Sequence, residues 1–471
     1  MQSVEHISIN GEWVTPQGTE RFDLFNPATG DVTGQVRLAN EADALNAIAA
    51  AKAAFPAWSQ TRVGERVAAL TRMREALAAC EEELLQAIVQ EYGAPAARAV
   101  WMARYPVAVI DQVISDLQQF VFTSQVGHAR VEMTPLGVAG LITPWNSNAG
   151  FICGKLAAAL AAGCTAVIKP SEMSAWQTQV VTRALHQAEL PPGVFNIVTG
   201  RGEVVGEVMS RHPDIAKISF TGSTMTGKAI LRNAADTFKR VTLELGGKSP
   251  TLILDDADPA TAVPLAIQAG FINSGQACIA GTRILVPNSR KAEYEAALAQ
   301  AVVAVKSGDP HDPANDIGPM VSEKQWQRVQ SYIRLGQQEG ARVLAGGEGR
   351  PENSGQGWFV RPTLFTDVEN TMRIAREEIF GPVLSVIGYQ DDAHAVAIAN
   401  DTDYGLSALV LGRDVERAQQ VAAQIHAGRV QVNTLAHEAG APFGGFKHSG
   451  IGREMGRWGL AAFMEPKTLV M

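Results

Sequence analysis

The chain has 471 residues, 46% hydrophobic and 19% charged, with a formal net charge of −8. That length exceeds what one compact core usually holds, so two or more packed domains are expected, and the acidic balance with 40 scattered Lys and Arg residues excludes a nucleic-acid surface. A membrane partner is not expected either, because the start (MQSVEHISIN) has no apolar run and the most apolar helical stretch, residues 151–163, is too short to span and contains Lys155.

In chain order, residues 12–36 break into short alternating runs at Pro16, Gly18, Pro27 and Gly30, which predicts peripheral strands and turns. Asn40 suits the N-cap of an alanine-rich helix through Ala54. Residues 61–92 keep apolar side chains at helical spacing up to Gly93, and residues 98–120 repeat the pattern. Glu91 and Arg98 are expected on solvated helix faces. Residues 120–133 (FVFTSQVGHARVEM) alternate as a two-stranded excursion whose exposed edge needs a partner strand. A regular rhythm follows: GVAGLITPWN, a helix from Phe151, AVIKPSE, a helix from Ala175, VFNIVTG, a helix from Glu203, KISFTGS and a helix from Thr226. This is the pattern of a parallel sheet covered by helices, which binds ligands beyond the carboxyl ends of its strands. The usual dinucleotide fingerprint is missing, since Gly200, Gly202 and Gly206 make only a partial glycine loop.

Residues 241–250 (VTLELGGKSP) form a strand-like run with Glu244 near its end. A carboxylate there tends to have a raised pKa, as a base acting on water requires. A helical stretch over 264–271 leads into FINSGQACIAGT (271–282) and then the strand-like TRILV. Cys278 therefore sits at a junction among Gly275, Ala277, Ala280 and Gly281, which leave room for another molecule and let backbone amides face an oxygen bonded near the sulfur. Alone, this cysteine reads as a small buried hydrophobe and Glu244 as a salt-bridged strand end. A helix from Ser289, a Gly/Pro/Asp-rich link through Pro313, a helix over 323–340, ARVLAGG and EEIFGPVLSV then suggest a second α/β layer. Cys80, Cys153, Cys164 and Cys278 include no CxxC, and the nine histidines form no HExxH, which argues against a metal site and a disulfide framework and fits a cytoplasmic location. GGKS at 246–249 completes neither a P-loop nor a nucleophile elbow.

VTLELGGKSP followed by GQACIAGT resembles the aldehyde dehydrogenase superfamily, and NDTDYGLSALV, GRVQVNT and APFGGFKHSGIGRE extend the likeness over nearly the whole chain. The resemblance implies an α/β fold with three parts. These are a Rossmann-like cofactor-binding domain (1–116 and 136–246), an α/β catalytic domain (247–462) and a small β oligomerisation arm (117–135 and 463–471), the last implying a homodimer or homotetramer. It further implies a small-molecule aldehyde substrate oxidised to the acid through a thiohemiacetal and a thioester. Cys278 would be the nucleophile and Glu244 the base, with Asn146 sharing the oxyanion with the cysteine N–H. The implied cofactor is NAD, with NADP possible, held by Trp145, Lys169, Ser171, Glu172, Phe220, Gly222, Ser223, Leu245, Glu378 and Phe380. Within that set Lys169 and Glu172 meet the adenine ribose, Phe220, Gly222 and Ser223 the pyrophosphate at a helix N-terminus, and Glu378 the nicotinamide ribose with Phe380 packed nearby. The charge of Glu172 favours NAD over NADP.

One departure stands out: Ser147-Asn148-Ala149-Gly150 replaces the Phe-Pro that follows PWN in many relatives. With Phe151, Ile279, His437 and Phe443 as neighbours, a roomier and partly polar tunnel is expected. That suits a hydroxylated or semialdehyde-type substrate, although a missing phenylalanine equally admits an aromatic ring. Two other readings stay open. One is a relative that passes the acyl group to coenzyme A, in which the equivalent of Glu244 is commonly lacking; the other is a non-catalytic binding or structural protein on the same fold.

Overall fold

Asn40 sets the first long helix, Glu41–Ser59, by a reciprocal cap: its side chain accepts from the Asp43 N–H while Asp43 accepts from its own. The computed structural model describes residues 2–352 and 354–470, so Met1, at the head of the expected cofactor domain, and Met471, at the tip of the expected arm, lie outside the described residues. The helical spacing over 61–92 resolves into two helices, Val63–Ala79 and Glu81–Tyr92, divided at Cys80 and ended by left-handed Gly93 (φ 78°). The next helix, Ala96–Gln119, packs across the helix Asn148–Ala162. Residues after Glu203 form only a π turn, Gly202–Gly206, and the short helix Glu207–Arg211.

Two side chains assigned above to solvated faces are placed differently. Glu91 is buried and accepts from the N–H groups of Trp176 (2.8 Å) and Gln177 (3.1 Å) and from the Gln177 amide (3.1 Å), at the start of the helix Ala175–Gln187. Free amides at a helix start need an acceptor, and an acid on a neighbouring helix supplies it. Arg98 is half-buried, with its guanidinium 4.0 Å from the centre of the Trp101 ring. Spacing along one helix cannot reveal that Glu91 meets a distant segment, whereas Trp101 lies one turn from Arg98 on the same helix.

Among the described residues the strands form two large sheets and two small ones. The eight-stranded sheet runs Gly450–Ile451, Arg240–Glu244, Ile215–Thr221, Val138–Ile142, Thr165–Lys169, Phe195–Ile197, Ile7–Ile9, Glu12–Val14. Its five central strands are parallel. The chain enters at Val138–Ile142, winds outward to Phe195–Ile197, then crosses back to Ile215–Thr221 on the other side. The strand order thus reverses beside Val138–Ile142, and a crevice opens beyond the strand ends there. Glycines help close this layer: a Cβ on Gly140 would come within 2.6 Å of Ile218 Cδ1.

The seven-stranded sheet, Arg342–Ala345, Thr363–Thr366, Val383–Tyr389, Arg283–Pro287, Pro250–Ile253, Ser407–Leu411, Arg429–Val432, is parallel except for its Arg342–Ala345 edge. Each large sheet has helices and a buried aliphatic core of its own. The hairpin Thr123–Val126 and Ala129–Pro135 pairs with Met464–Val470 in a three-stranded sheet. All four residues of Thr123–Val126 are exposed. Gly450–Ile451 lies inside the 247–462 interval yet joins the first sheet, pairing antiparallel with Arg240–Glu244.

Candidate active site

The segment carrying Cys278 begins where the helix Pro259–Phe271 gives way to a tight turn. Asn273, Ser274 and Gly275 are all left-handed (φ 55°, 59° and 74°), a conformation that costs roughly 1–3 kcal/mol at a non-glycine residue and so needs outside support. The support is dense. Asn273 Nδ2 donates to the Asn146 carbonyl (3.0 Å), Ser274 Oγ accepts from the Gly318 N–H (2.9 Å), and Gln276 accepts from the Val321 N–H (2.9 Å) while donating to the Pro319 carbonyl and the Tyr92 hydroxyl. A Cβ on Gly275 would fall 2.2 Å from the Gly381 carbonyl carbon, so only glycine fits there. The thiol is thus carried on a turn clamped from three directions.

Asn146 follows the strand Val138–Ile142 and is buried, its Nδ2 donating to the Gln276 carbonyl at 3.0 Å. Its second amide hydrogen remains free to donate. Glu244 ends the strand Arg240–Glu244, and the two glycines after it bring that backbone against the cysteine turn: a Cβ on Gly247 would lie 2.4 Å from the Cys278 carbonyl oxygen. Glu244 is 2% exposed, and neither carboxyl oxygen has a hydrogen-bond partner. Burial first, and the nearby Glu454 carboxylate second, hold its pKa well above the usual carboxylate range, against Lys155 and Arg453. Burial and the acids Glu378 and Glu244 push the Cys278 thiol up to about 12, against Arg429. Burial and neighbouring acids thus bias both the thiol and the carboxyl toward their neutral forms.

Behind Glu244 lies a polar cluster. Buried Lys155 donates to Ser219 Oγ (2.9 Å) and pairs with Glu454, which also accepts from the Ser219 hydroxyl (2.8 Å). Sequence reasoning missed this cluster, although a lone lysine in an apolar helix was its signal, since a buried ammonium needs a partner.

A second group of predicted residues lines the crevice. Lys169 meets Glu172 at 3.2 Å, and Arg201 reaches the same carboxylate at 3.5 Å. Burial opposes the charge of Glu172, but the two cations outweigh it and the carboxyl titrates below its ordinary value. Ser171 accepts from the Met173 N–H, and Ser223 caps the helix Thr224–Ala235 by accepting from the Thr226 N–H. Nearby, the hydroxyl of Thr221 is buried without a partner. A Cβ on Gly222 would meet the Phe220 ring at 2.5 Å, and one on Gly227 would strike Leu245. Glu378 accepts from the Gly247 N–H (3.0 Å) and is pushed by burial to about 7. Phe380, left-handed at φ 63°, meets Trp145 edge-on at 5.5 Å.

The remaining predicted side chains ring a third face. Ser147 precedes the helix Asn148–Ala162, while Phe151 and Ile279 are half-buried. Of the small residues after Asn146, Gly150 packs against an aromatic ring. A Cβ on Gly150 would lie 2.7 Å from Tyr105 Cδ1, and the Tyr105 hydroxyl reaches His437 Nε2 at 3.4 Å. Phe443 pairs through its backbone with Glu454 (2.8 Å) and lies 5.9 Å from Arg429. Among the described residues no group of three or more His, Cys, Asp or Glu side chains gathers as a metal site.

Comparisons with known proteins agree on one family. Residues 13–469 match the model described as the aldehyde dehydrogenase family. A 3-succinoylsemialdehyde-pyridine dehydrogenase of a Pseudomonas species is 42% identical over 472 residues, covering 100% of this chain and 99% of the relative. The crystal structure of an aldehyde dehydrogenase C mutant from Pseudomonas syringae, complexed with NAD+ and octanal, superposes with a TM-score of 0.98 at 44% identity, covering 99% of this chain and 96% of that one. A Mycobacterium tuberculosis aldehyde dehydrogenase complexed with NAD+ gives a TM-score of 0.96 at 38% identity, covering 100% of this chain and 98% of that one. With the match running along almost its entire length, the chain belongs to the aldehyde dehydrogenase family.

Proposed function

We propose that this enzyme oxidises aldehydes to carboxylic acids with NAD, using Cys278 as nucleophile, Asn146 as oxyanion donor and Glu244 as the base for hydrolysis. Glu244 carries the reading: a fully enclosed carboxyl with both oxygens unpartnered, next to the cysteine turn, is placed to meet a water rather than to hold the fold together. The crevice suits a dinucleotide. It offers a lysine and an ionised carboxylate for ribose hydroxyls, an unpartnered hydroxyl at Thr221, and the free amides of a twelve-residue helix for a pyrophosphate. NAD, when bound, supplies the acceptor for the hydride that leaves the aldehyde carbon.

The protein's own groups do the rest. The Cys278 thiol gives its proton to a water molecule, the thiolate adds to the aldehyde carbon, and the free Asn146 amide hydrogen with the Cys278 N–H receives the developing oxyanion. Loss of the hydride leaves an acyl group on the sulfur. Glu244 then takes a proton from water, whose oxygen attacks that thioester, expels the thiolate and yields the acid. An enclosed base assigned to water favours hydrolysis over transfer to coenzyme A. The ionised state of Glu172, held between Lys169 and Arg201, supports NAD over NADP, because a 2′-phosphate would face its charge.

We place cofactor binding on the layer built around the eight-stranded sheet and the chemistry where the second layer meets it. The exposed strand Thr123–Val126 supports association with further copies of the chain. No helix among the described residues is long and apolar enough to cross a membrane, and four unpaired cysteines suit a cytoplasmic enzyme. The test is NADH formation by purified protein with NAD and an aldehyde panel, with and without coenzyme A. Glu244→Gln is expected to keep a single-turnover burst and lose steady-state turnover; an unaltered steady state overturns its assignment as the base.

A further inference from the structure

Two guanidinium groups border the third face of the site, and among the described residues neither is paired with a carboxylate. Arg98 lies over the Trp101 ring at 4.0 Å, and its Nε is buried with no hydrogen-bond partner. Arg429 heads the strand Arg429–Val432, donates to the Ser407 hydroxyl at 3.3 and 3.2 Å, and lies 5.9 Å from the Phe443 ring. Burial disfavours the charge of both.

Side chains of the proposed substrate region connect them. The Tyr105 ring stacks on Trp101 at 4.6 Å, and its hydroxyl reaches His437 Nε2 at 3.4 Å. His437 feels both cations and is held below its ordinary pKa by burial, then Arg429, then Arg98, against the adjacent Glu438. The Arg429 charge is felt at the Cys278 thiol, and the Arg98 charge at the hydroxyls of Tyr92 and Tyr105. The acids in reach are engaged elsewhere. Glu454, facing Tyr105, is held by Lys155 and Ser219, and Glu438 accepts from the Gly440 N–H at 3.4 Å.

Partly buried cations without a counterion cost stability, and such groups persist where a ligand supplies the missing charge. We propose that Arg98 and Arg429 form an anion-receiving wall in the aldehyde tunnel, so that the preferred substrates carry a carboxylate at the end remote from the aldehyde. This rests on the aldehyde oxidation proposed above and adds a substrate class to it. Arg98, on the Trp101 side and farther along the contact chain from the thiol, takes the remote carboxylate. Tyr105 and Trp101 flank the intervening carbon atoms.

The experiment compares matched aldehydes with NAD: 4-formylbenzoate against its methyl ester, and 8-oxooctanoate against octanal. Wild-type protein is expected to favour the charged member of each pair by about tenfold or more in kcat/KM, mainly through KM, with the preference shrinking as salt is raised. Arg98→Met is expected to collapse that ratio, and Arg98→Lys to retain most of it. If Arg98→Met is not recovered in soluble form, inhibition of the wild type by terephthalate decides. Terephthalate should compete with the aldehyde far better than its diamide, and equal inhibition counts against the wall. Equal or better use of the neutral aldehydes by the wild type, or a ratio untouched by Arg98→Met, overturns the proposal while leaving aldehyde oxidation intact. Absence of NADH with all four aldehydes removes the underlying activity instead.

Discussion

Glu454 stands close enough to Glu244 to disfavour its ionisation, while Lys155 holds Glu454 and pulls Glu244 the other way. The proton affinity of the proposed base is therefore set by a pair of charges behind it. Glu454→Gln removes the like charge, so the pKa of Glu244 should fall and the acidic limb of the steady-state pH profile should move to lower pH. Lys155→Met removes the attraction and should move the same limb upward. A profile that stays in place, or moves the opposite way, contradicts the coupling.

Lys155→Met also leaves Glu454 and Ser219 without their cation in a buried setting. A loss of about 3–5 kcal/mol is expected. Chemical denaturation of the variant against wild type measures it, and a change under about 1 kcal/mol would mean that water already solvates the cluster.

Cys278 should be a sluggish nucleophile in the absence of cofactor. With its thiol pushed up to about 12, alkylation by iodoacetamide should rise by about tenfold per pH unit through pH 9 without levelling. Arg429→Met should slow it further, since that cation favours the thiolate. A plateau near neutral pH would show a thiolate formed at rest.

Glu172 is expected to set the choice of dinucleotide. Replacing it by Ser removes the charge that opposes a 2′-phosphate and leaves Lys169 free to attract one, with Arg201 still paired to Glu20 at 2.8 Å. The NADP-to-NAD ratio of kcat/KM should rise by about tenfold to a hundredfold. An unchanged ratio would place the discrimination elsewhere.

Gly275 tests the clamped turn. Gly275→Ala forces a Cβ into the Gly381 carbonyl carbon at a left-handed position, so NADH formation should be lost even where the protein stays folded. Near-normal turnover would show that the turn can shift without consequence.

Much of this was legible in the chain itself, for definable reasons. Alternation of apolar strands with helical spacing foretells the parallel layers, because the period of burial is written locally. Asn40 and Gly93 mark helix ends through chemistry that acts within a few residues. Glu91 shows the limit: it sits on a correctly expected helix, but the amides it meets come from elsewhere in the fold. Tyr105 shows the same limit inside the site. Nothing near Gly150 in the sequence announces that a ring from a different helix stands against it. The tight turn at Asn273 and Ser274 is likewise invisible in composition, since neither residue demands a left-handed backbone; the clamps around it do.

The pairing of Gly450–Ile451 with the strand that ends in Glu244 bears on how the enzyme is made. Leu245 donates to the Ser449 carbonyl at 2.9 Å, and Gly444 packs so tightly on Glu244 that a Cβ there would lie 2.7 Å from its carboxyl. The wall behind the proposed base is thus translated long after the strand that carries it. On the ribosome the first sheet stays one strand short, and the carboxyl of Glu244 lacks its enclosing wall, until the segment around Ser449 has emerged and clipped into place.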